Sequence, residues 1–279
     1  MQQELLKEEN SKSNNDVIIA QDKLAKELET VEKYIKSGEF KEAEIYLQGL
    51  LELDEKNAQI LNHLGVVYFN LADYNKAENR FLKALKIDPN LVDVYFNLGM
   101  LYQKRGEFRK ALTYYKVVAE NIFDDPEVFY LMGQCAQSAN MINEAKAFYA
   151  ESFRLSPLLK TALDLSIIYI AQEEYKEAEN MISYLIKMMS ESNCDSLSMN
   201  EEIESLHFTM GLLLRSQNKY EEAMKSFYNA IMINDHNEQS YNYLGECCFE
   251  LGLNQEAESF FSKAIKLDQS YTLDISDRK

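Results

Sequence analysis

The chain is predicted to be an all-α solenoid: antiparallel helix pairs stacked in chain order, with no single globular core. Three observations carry this. Alanine falls at positions 43, 77, 111, 145, 178, 223 and 257, at spacings of 34, 34, 34, 33, 45 and 34 residues. A fixed period of that size marks a repeat array. With that alanine as position 20 of a 34-residue unit, position 8 is Val31, Gly65, Gly99, Gly133, Ser166, Gly211 and Gly245, small in all but the first copy. Position 24 is large: Leu47, Phe81, Tyr115, Tyr149, Ile182, Phe227 and Phe261. Within each unit the apolar residues recur at three and four, as an amphipathic helix requires. They form two stretches around a short polar break such as Ala72-Asp73 or Gly106-Glu107.

Small residues at positions 8 and 20 let two helix backbones approach, and large residues at positions 11 and 24 fill the space between helices and between units. Five of the nine glycines stand at position 8 and three more, Gly38, Gly106 and Gly252, at position 15. There the first helix of a pair must end in a left-handed cap. Only Gly49 is left over, and all three prolines lie at unit boundaries, where a helix must stop.

In chain order, residues 1–15 are a polar N-terminus, expected to be flexible. The solenoid spans 16–271, opening with Asn15 or Asp16 as the cap of a helix through Val17, Ile18, Leu24, Leu28, Val31 and Ile35. The repeats are placed at 24–57, 58–91, 92–125, 126–159, 159–192, 204–237 and 238–271. The fifth is one residue short and carries Ser166 in place of glycine. A polar, serine-rich insertion at 193–203 is expected as a loop on one side of the array. The tail 272–279 is too short and too polar to be a capping helix. The last helix, with Phe260, Phe261, Ala264 and Ile265, is therefore expected to leave apolar surface open for self-association or docking.

Composition narrows the function. Hydrophobic content of 46% excludes a disordered chain, and the net charge is −17. Phosphate neutralisation supplies much of a nucleic-acid binder's affinity, and no Lys/Arg cluster of that kind is present. Nucleic acid and anionic membrane surfaces are thus disfavoured, and no apolar run reaches membrane-spanning length. Cys135, Cys247 and Cys248 fall at packing positions and Cys194 in the insertion, without CxxC spacing. The N-terminus lacks the basic start and apolar run of a signal peptide, so a cytoplasmic location is expected.

The second unit, with Leu64-Gly65, Tyr68, Ala77, Phe81, Ala84 and Pro89, and the third, beginning Val92-Asp-Val-Tyr-Phe-Asn-Leu-Gly99, resemble the tetratricopeptide repeat family. The resemblance runs from about Leu24 to Tyr271. It implies a right-handed superhelix (an α-α superhelix) whose concave groove is lined by the first helix of each pair. Carried onto this chain, that groove presents Asn62, His63, Val66 and Phe69, then Phe96, Asn97, Met100 and Lys104, with Asp93 beside them. Further along come Tyr130 and Gln134 near Glu127, then Lys160 near Asp164, Phe208 and Arg215, and Asn242 and Tyr243 next to Glu246. Amides can pair with both backbone groups of a bound chain, and aromatics supply contact area at low entropic cost. Family members that clamp a C-terminal carboxylate use basic residues on successive first helices. Here Lys160 stands among Asp93, Glu127 and Asp164, so that specialisation is not expected. Of the asparagine ladder that runs along the groove in the O-GlcNAc transferases, only Asn97 is present.

Chemistry is not expected on this chain. His63, His207 and His236 are far apart in sequence and phase; His207 takes a core position, and His63 is a groove contact rather than a general base. No HExxH, GxGxxG, P-loop or GxSxG pattern occurs, and no spacing builds a metal or cofactor site. The expected function is a non-catalytic protein-interaction scaffold that holds a peptide or helix of a protein partner. The alternatives are a regulatory or substrate-recruiting region of a larger enzyme or complex, and a self-assembling structural array.

Overall fold

The computed structural model describes residues 24–122, 124–191 and 200–276, and among them finds α-helices and no strand. It forms two compact units, one ending at Phe123 and one beginning at Asp124. The first unit holds α1 (24–37), α2 (Phe40–Leu53), α3 (Ala58–Asn70), α4 (Tyr74–Ile87), α5 (Val92–Lys104) and α6 (Phe108–Asn121). The second holds α7 (Pro126–Ser138), α8 (Ile142–Leu155), α9 (Leu159–Ala171), α10 (Tyr175–Glu191), α11 (Asn200–Ser216), α12 (Tyr220–Ile233), α13 (Glu238–Glu250) and α14 (Asn254–Ser276). In each unit a helix packs against its chain neighbour, and successive pairs stack, as the repeat period predicts. The fold is an all-α stack of antiparallel helix pairs.

The seven alanines at position 20 are all in the core: six are fully buried and Ala257 is 3% exposed. Opposite them, a Cβ added to Gly65, Gly99, Gly133, Gly211 or Gly245 would come within 2.4–2.6 Å of the position-24 ring of the same repeat. The ring therefore occupies the volume that the missing side chain vacates. Where position 8 is not glycine, position 24 is not aromatic. There the two positions are Val31 with Leu47 and Ser166 with Ile182, and all four are buried. The Ser166 hydroxyl donates to the Ala162 carbonyl at 2.7 Å, satisfying its buried oxygen within α9.

All seven turns inside a pair are built alike. Position 15 has positive φ in each: Gly38, Ala72, Gly106, Asn140, Glu173, Asn218 and Gly252, with φ between 59° and 79°. The following N–H reaches back to the carbonyl of position 11 at 2.8–2.9 Å, from Glu39 to Tyr34 through Leu253 to Cys248. This is the six-to-one bond of a Schellman cap. Glycine was the signal for three of these caps; the other four use residues that carry a Cβ. Starts of helices are closed by Asn57, Asp73, Asp125 and Asn237, whose side chains accept from backbone N–H groups of the first turn.

Residues 1–23, and with them the proposed N-terminal cap and the helix start near Val17, lie outside the described residues. So does Cys194 with most of the insertion. Of the insertion, 200–203 form the first turn of α11, and α10 runs on to Glu191. The last helix continues to Ser276, past the boundary placed at 271. On it Ala264 is buried and Phe260 packs against Tyr228 and Tyr241, at ring distances of 5.8 and 6.5 Å, while Ile265 is 56% exposed.

Candidate functional site

Positions 2, 5, 6, 9, 12 and 13 of each first helix share one face, because residues three and four apart lie above one another on a helix. In the first unit that face belongs to α3 and α5. Asn97 donates its side-chain amide to Asn62 at 2.9 Å, and Asn62 is only 8% exposed. This amide pair ties α5 to α3 rather than standing open for a ligand backbone. Beside it, Phe96 sets its ring edge against Tyr115 (5.8 Å) and Phe69 tilts onto Tyr74 (5.7 Å). His63 turns Nδ1 to the Gln59 carbonyl at 2.9 Å. Val66 is half-buried, and Met100 and Lys104 are the exposed members of this set.

In the second unit the face is carried by α7, α9, α11 and α13. Lys160 on α9 pairs with Glu127 on α7 at 2.7 Å, and its ammonium sits 4.1 Å from the centre of the Tyr130 ring. Arg215 on α11 pairs with Glu246 on α13 at 2.5 Å and lies 5.1 Å from the centre of the Tyr243 ring. Tyr243 is stacked on Phe227 at 5.4 Å, and Phe208 packs against both. Gln134 donates to the Tyr130 hydroxyl at 3.2 Å, and Asn242, exposed, donates to Glu246 at 3.3 Å.

Between these groups a recess of ≈ 330 Å³ opens, with Tyr130, Lys160, Asp164, Glu204 and Phe208 in its wall. Burial pushes the Asp164 carboxyl up; a hydrogen bond from Tyr130 and the nearby Lys160 charge offset this in part. The Tyr130 hydroxyl is held firmly protonated, first by its own burial and then by Asp164. Glu204 and Asn237 complete the recess but lie outside the face expected from the sequence. Asn237 is the N-cap of α13, and its side-chain amide donates to Glu204, the first residue of the sixth repeat. The available signal was the capping position itself, since an N-cap asparagine has its amide free to reach the preceding helix. A second hollow of ≈ 500 Å³ lies between Arg215, Glu246, Phe249 and Phe261.

The remaining candidates pack. Cys135, Cys247 and Cys248 are buried, and burial pushes the Cys135 and Cys247 thiols up to about 12 and about 11. They act as small apolar side chains, not as nucleophiles. Burial lowers the pKa of His207, as its core position implies. Among the described residues no group of three His, Cys, Asp or Glu could hold a metal, and no helix is long and apolar enough to cross a membrane.

Comparison with known proteins falls on this framework. Two family profiles described as Tetratricopeptide repeat match residues 57–121 and 208–272. The BBSome complex member BBS4 of Bos taurus is 24% identical over 194 residues, which are 69% of this chain and 35% of that protein. The human Protein O-mannosyl-transferase TMTC1 is 24% identical over 237 residues, 84% of this chain and 22% of its own. The chain thus spans less than half the length of these curated relatives. Among solved structures, a tetratricopeptide repeat protein from Parabacteroides merdae superposes with a TM-score of 0.64 at 18% identity, covering 87% of this chain and 92% of that one.

Proposed function

We propose that this chain, which belongs to the tetratricopeptide-repeat family, is a non-catalytic scaffold that holds an extended peptide or a helix of a protein partner on the first-helix faces of its repeats. The observation that carries this is the contrast between faces. The packing positions repeat with little variation, whereas the first-helix face varies from one repeat to the next and holds aromatics, amides and charges at half-exposed positions. A face that only packed would repeat like the core. Lys160 and Arg215 on this face are each held by a carboxylate, and the buried thiols behind it are pushed up by burial, so the side chains offer contacts rather than an activated nucleophile.

The test is crosslinked capture from source lysate with wild type, Met100→Glu and Asn242→Arg, which alter the exposed face of one unit each. A partner lost from either variant places binding on that unit's first-helix face. A partner kept by both removes the face from the proposal. A second reading is supported by the share of its relatives that the chain spans, one of them a transferase by name. On that reading the same face recruits a substrate or subunit to a catalytic domain elsewhere. Capture that depends on the face and brings down an enzyme whose turnover falls with Asn242→Arg separates it from a passive scaffold.

A further inference from the structure

The second unit shows twice what its first-helix face can hold. On α7, Glu127 and Tyr130 stand three residues apart and seat Lys160 from the next repeat; on α13, Tyr243 and Glu246 stand three apart and seat Arg215 from the repeat before. In both, a carboxylate and an aromatic face on one helix hold a cation brought by its neighbour. Ion pairing and the ring quadrupole act together there. On α11, Glu204 and Phe208 stand four residues apart and both line the recess, which Asp164 of α9 also faces. Among the described residues no cation pairs with Glu204, which takes the Asn237 amide instead. The third carboxylate–aromatic pair therefore opens into the ≈ 330 Å³ recess, at the small end of ligand-sized clefts (~300–1,000 Å³).

We propose, building on the scaffold reading above, that this recess takes an arginine or lysine side chain of an extended partner segment, seated against Phe208 and between Asp164 and Glu204, so that the partner is basic. The net charge of −17 complements such a partner and speeds its encounter. The recess offers an acidic partner little, because Lys160, the cation in its wall, is already held by Glu127. Lys160 borders the recess and opposes an incoming cation, which gives the proposal a sign that a general attraction lacks.

The experiment uses the immobilised full chain and degenerate peptide libraries with one position fixed as arginine, citrulline, glutamate or leucine. Citrulline keeps the shape of arginine and removes its charge. The expected result is retention of the arginine library roughly tenfold above the citrulline library, an advantage lost in Asp164→Asn or Glu204→Gln and increased in Lys160→Gln. Both carboxylate changes are conservative, and thermal melts check that each variant is folded. Equal retention of arginine and citrulline libraries overturns the proposal. So does an arginine advantage that survives both carboxylate variants, since the overall negative field then explains it. Preference for the leucine or glutamate library, lost in Asn242→Arg, also overturns it but leaves the scaffold reading standing. If no library is retained and the lysate partner is kept by every face variant, both readings fall.

Discussion

At position 8 of five repeats the glycine is a steric requirement imposed by the position-24 ring in the same repeat. Adding a Cβ at Gly99 meets the Tyr115 ring at 2.5 Å, and that ring is fully buried with its hydroxyl donating to Gln103 at 2.9 Å. Gly99→Ala is expected to cost about 1–3 kcal/mol in urea unfolding, as overpacking does. Gly99→Ser with Tyr115→Ile copies the pair this chain uses at Ser166 and Ile182, and is expected to recover part of the loss; no recovery would show that the two positions are not coupled. Asp164 makes a second prediction. Its pKa is raised in the folded state, so its contribution is most favourable below the unfolded value and is lost as pH rises through the folded one. Asp164→Asn, which stays neutral, is therefore expected to raise the melting temperature at pH 7 and to lose that advantage in acid. A carboxylate that burdens folding at neutral pH fits a residue kept for binding. His207 has the opposite sign: burial depresses its folded pKa below the ordinary 6.5, so stability is lost as pH falls below that value. His207→Phe, matching Phe129 at the same repeat position, is expected to flatten the melting temperature over that mildly acid range.

At the scale of the element, the turns between paired helices decide more than the helices do. All seven use a left-handed residue at position 15, and four of them hold it without glycine. A non-glycine residue in that conformation costs ~1–3 kcal/mol unless its surroundings fix it, and part of this is recoverable. Glu173→Gly is expected to stabilise the second unit by about 0.5–1 kcal/mol, whereas Gly106→Ala should destabilise the first by more than about 1 kcal/mol. Thermal or urea unfolding of the two variants side by side checks the pair of signs. The helices were legible in the sequence because their apolar period and the alanine–glycine spacing are local properties. The caps at Ala72, Asn140, Glu173 and Asn218 were less so. An alanine or glutamate can take positive φ when both flanking helices are packed in place, and nothing in its own chemistry announces it.

For the molecule as a whole, the net negative charge acts on every repeat. With a net charge of −17, like charges repel throughout the folded chain, and salt screens that repulsion over a Debye length of about 10 Å at 0.1 M. Raising sodium chloride is expected to raise the melting temperature while weakening capture of a basic partner. A partner whose binding is indifferent to salt would argue against an electrostatic contribution.

The sequence by itself determined the all-α repeat architecture, the ends of most paired helices, the core positions and which residues share the first-helix face. Each of these follows from spacing along one chain. Only the tertiary structure decided which members of that face are open. Asn62 is closed by Asn97, and Lys160 and Arg215 are closed by Glu127 and Glu246, partners that stand in a neighbouring repeat, whereas Glu204 and Phe208 are paired with no cation among the described residues. Helical periodicity assigns a residue to a face, but the side chain it meets there depends on how the next repeat is set down. A displacement of a few ångströms decides between an ion pair and an empty recess.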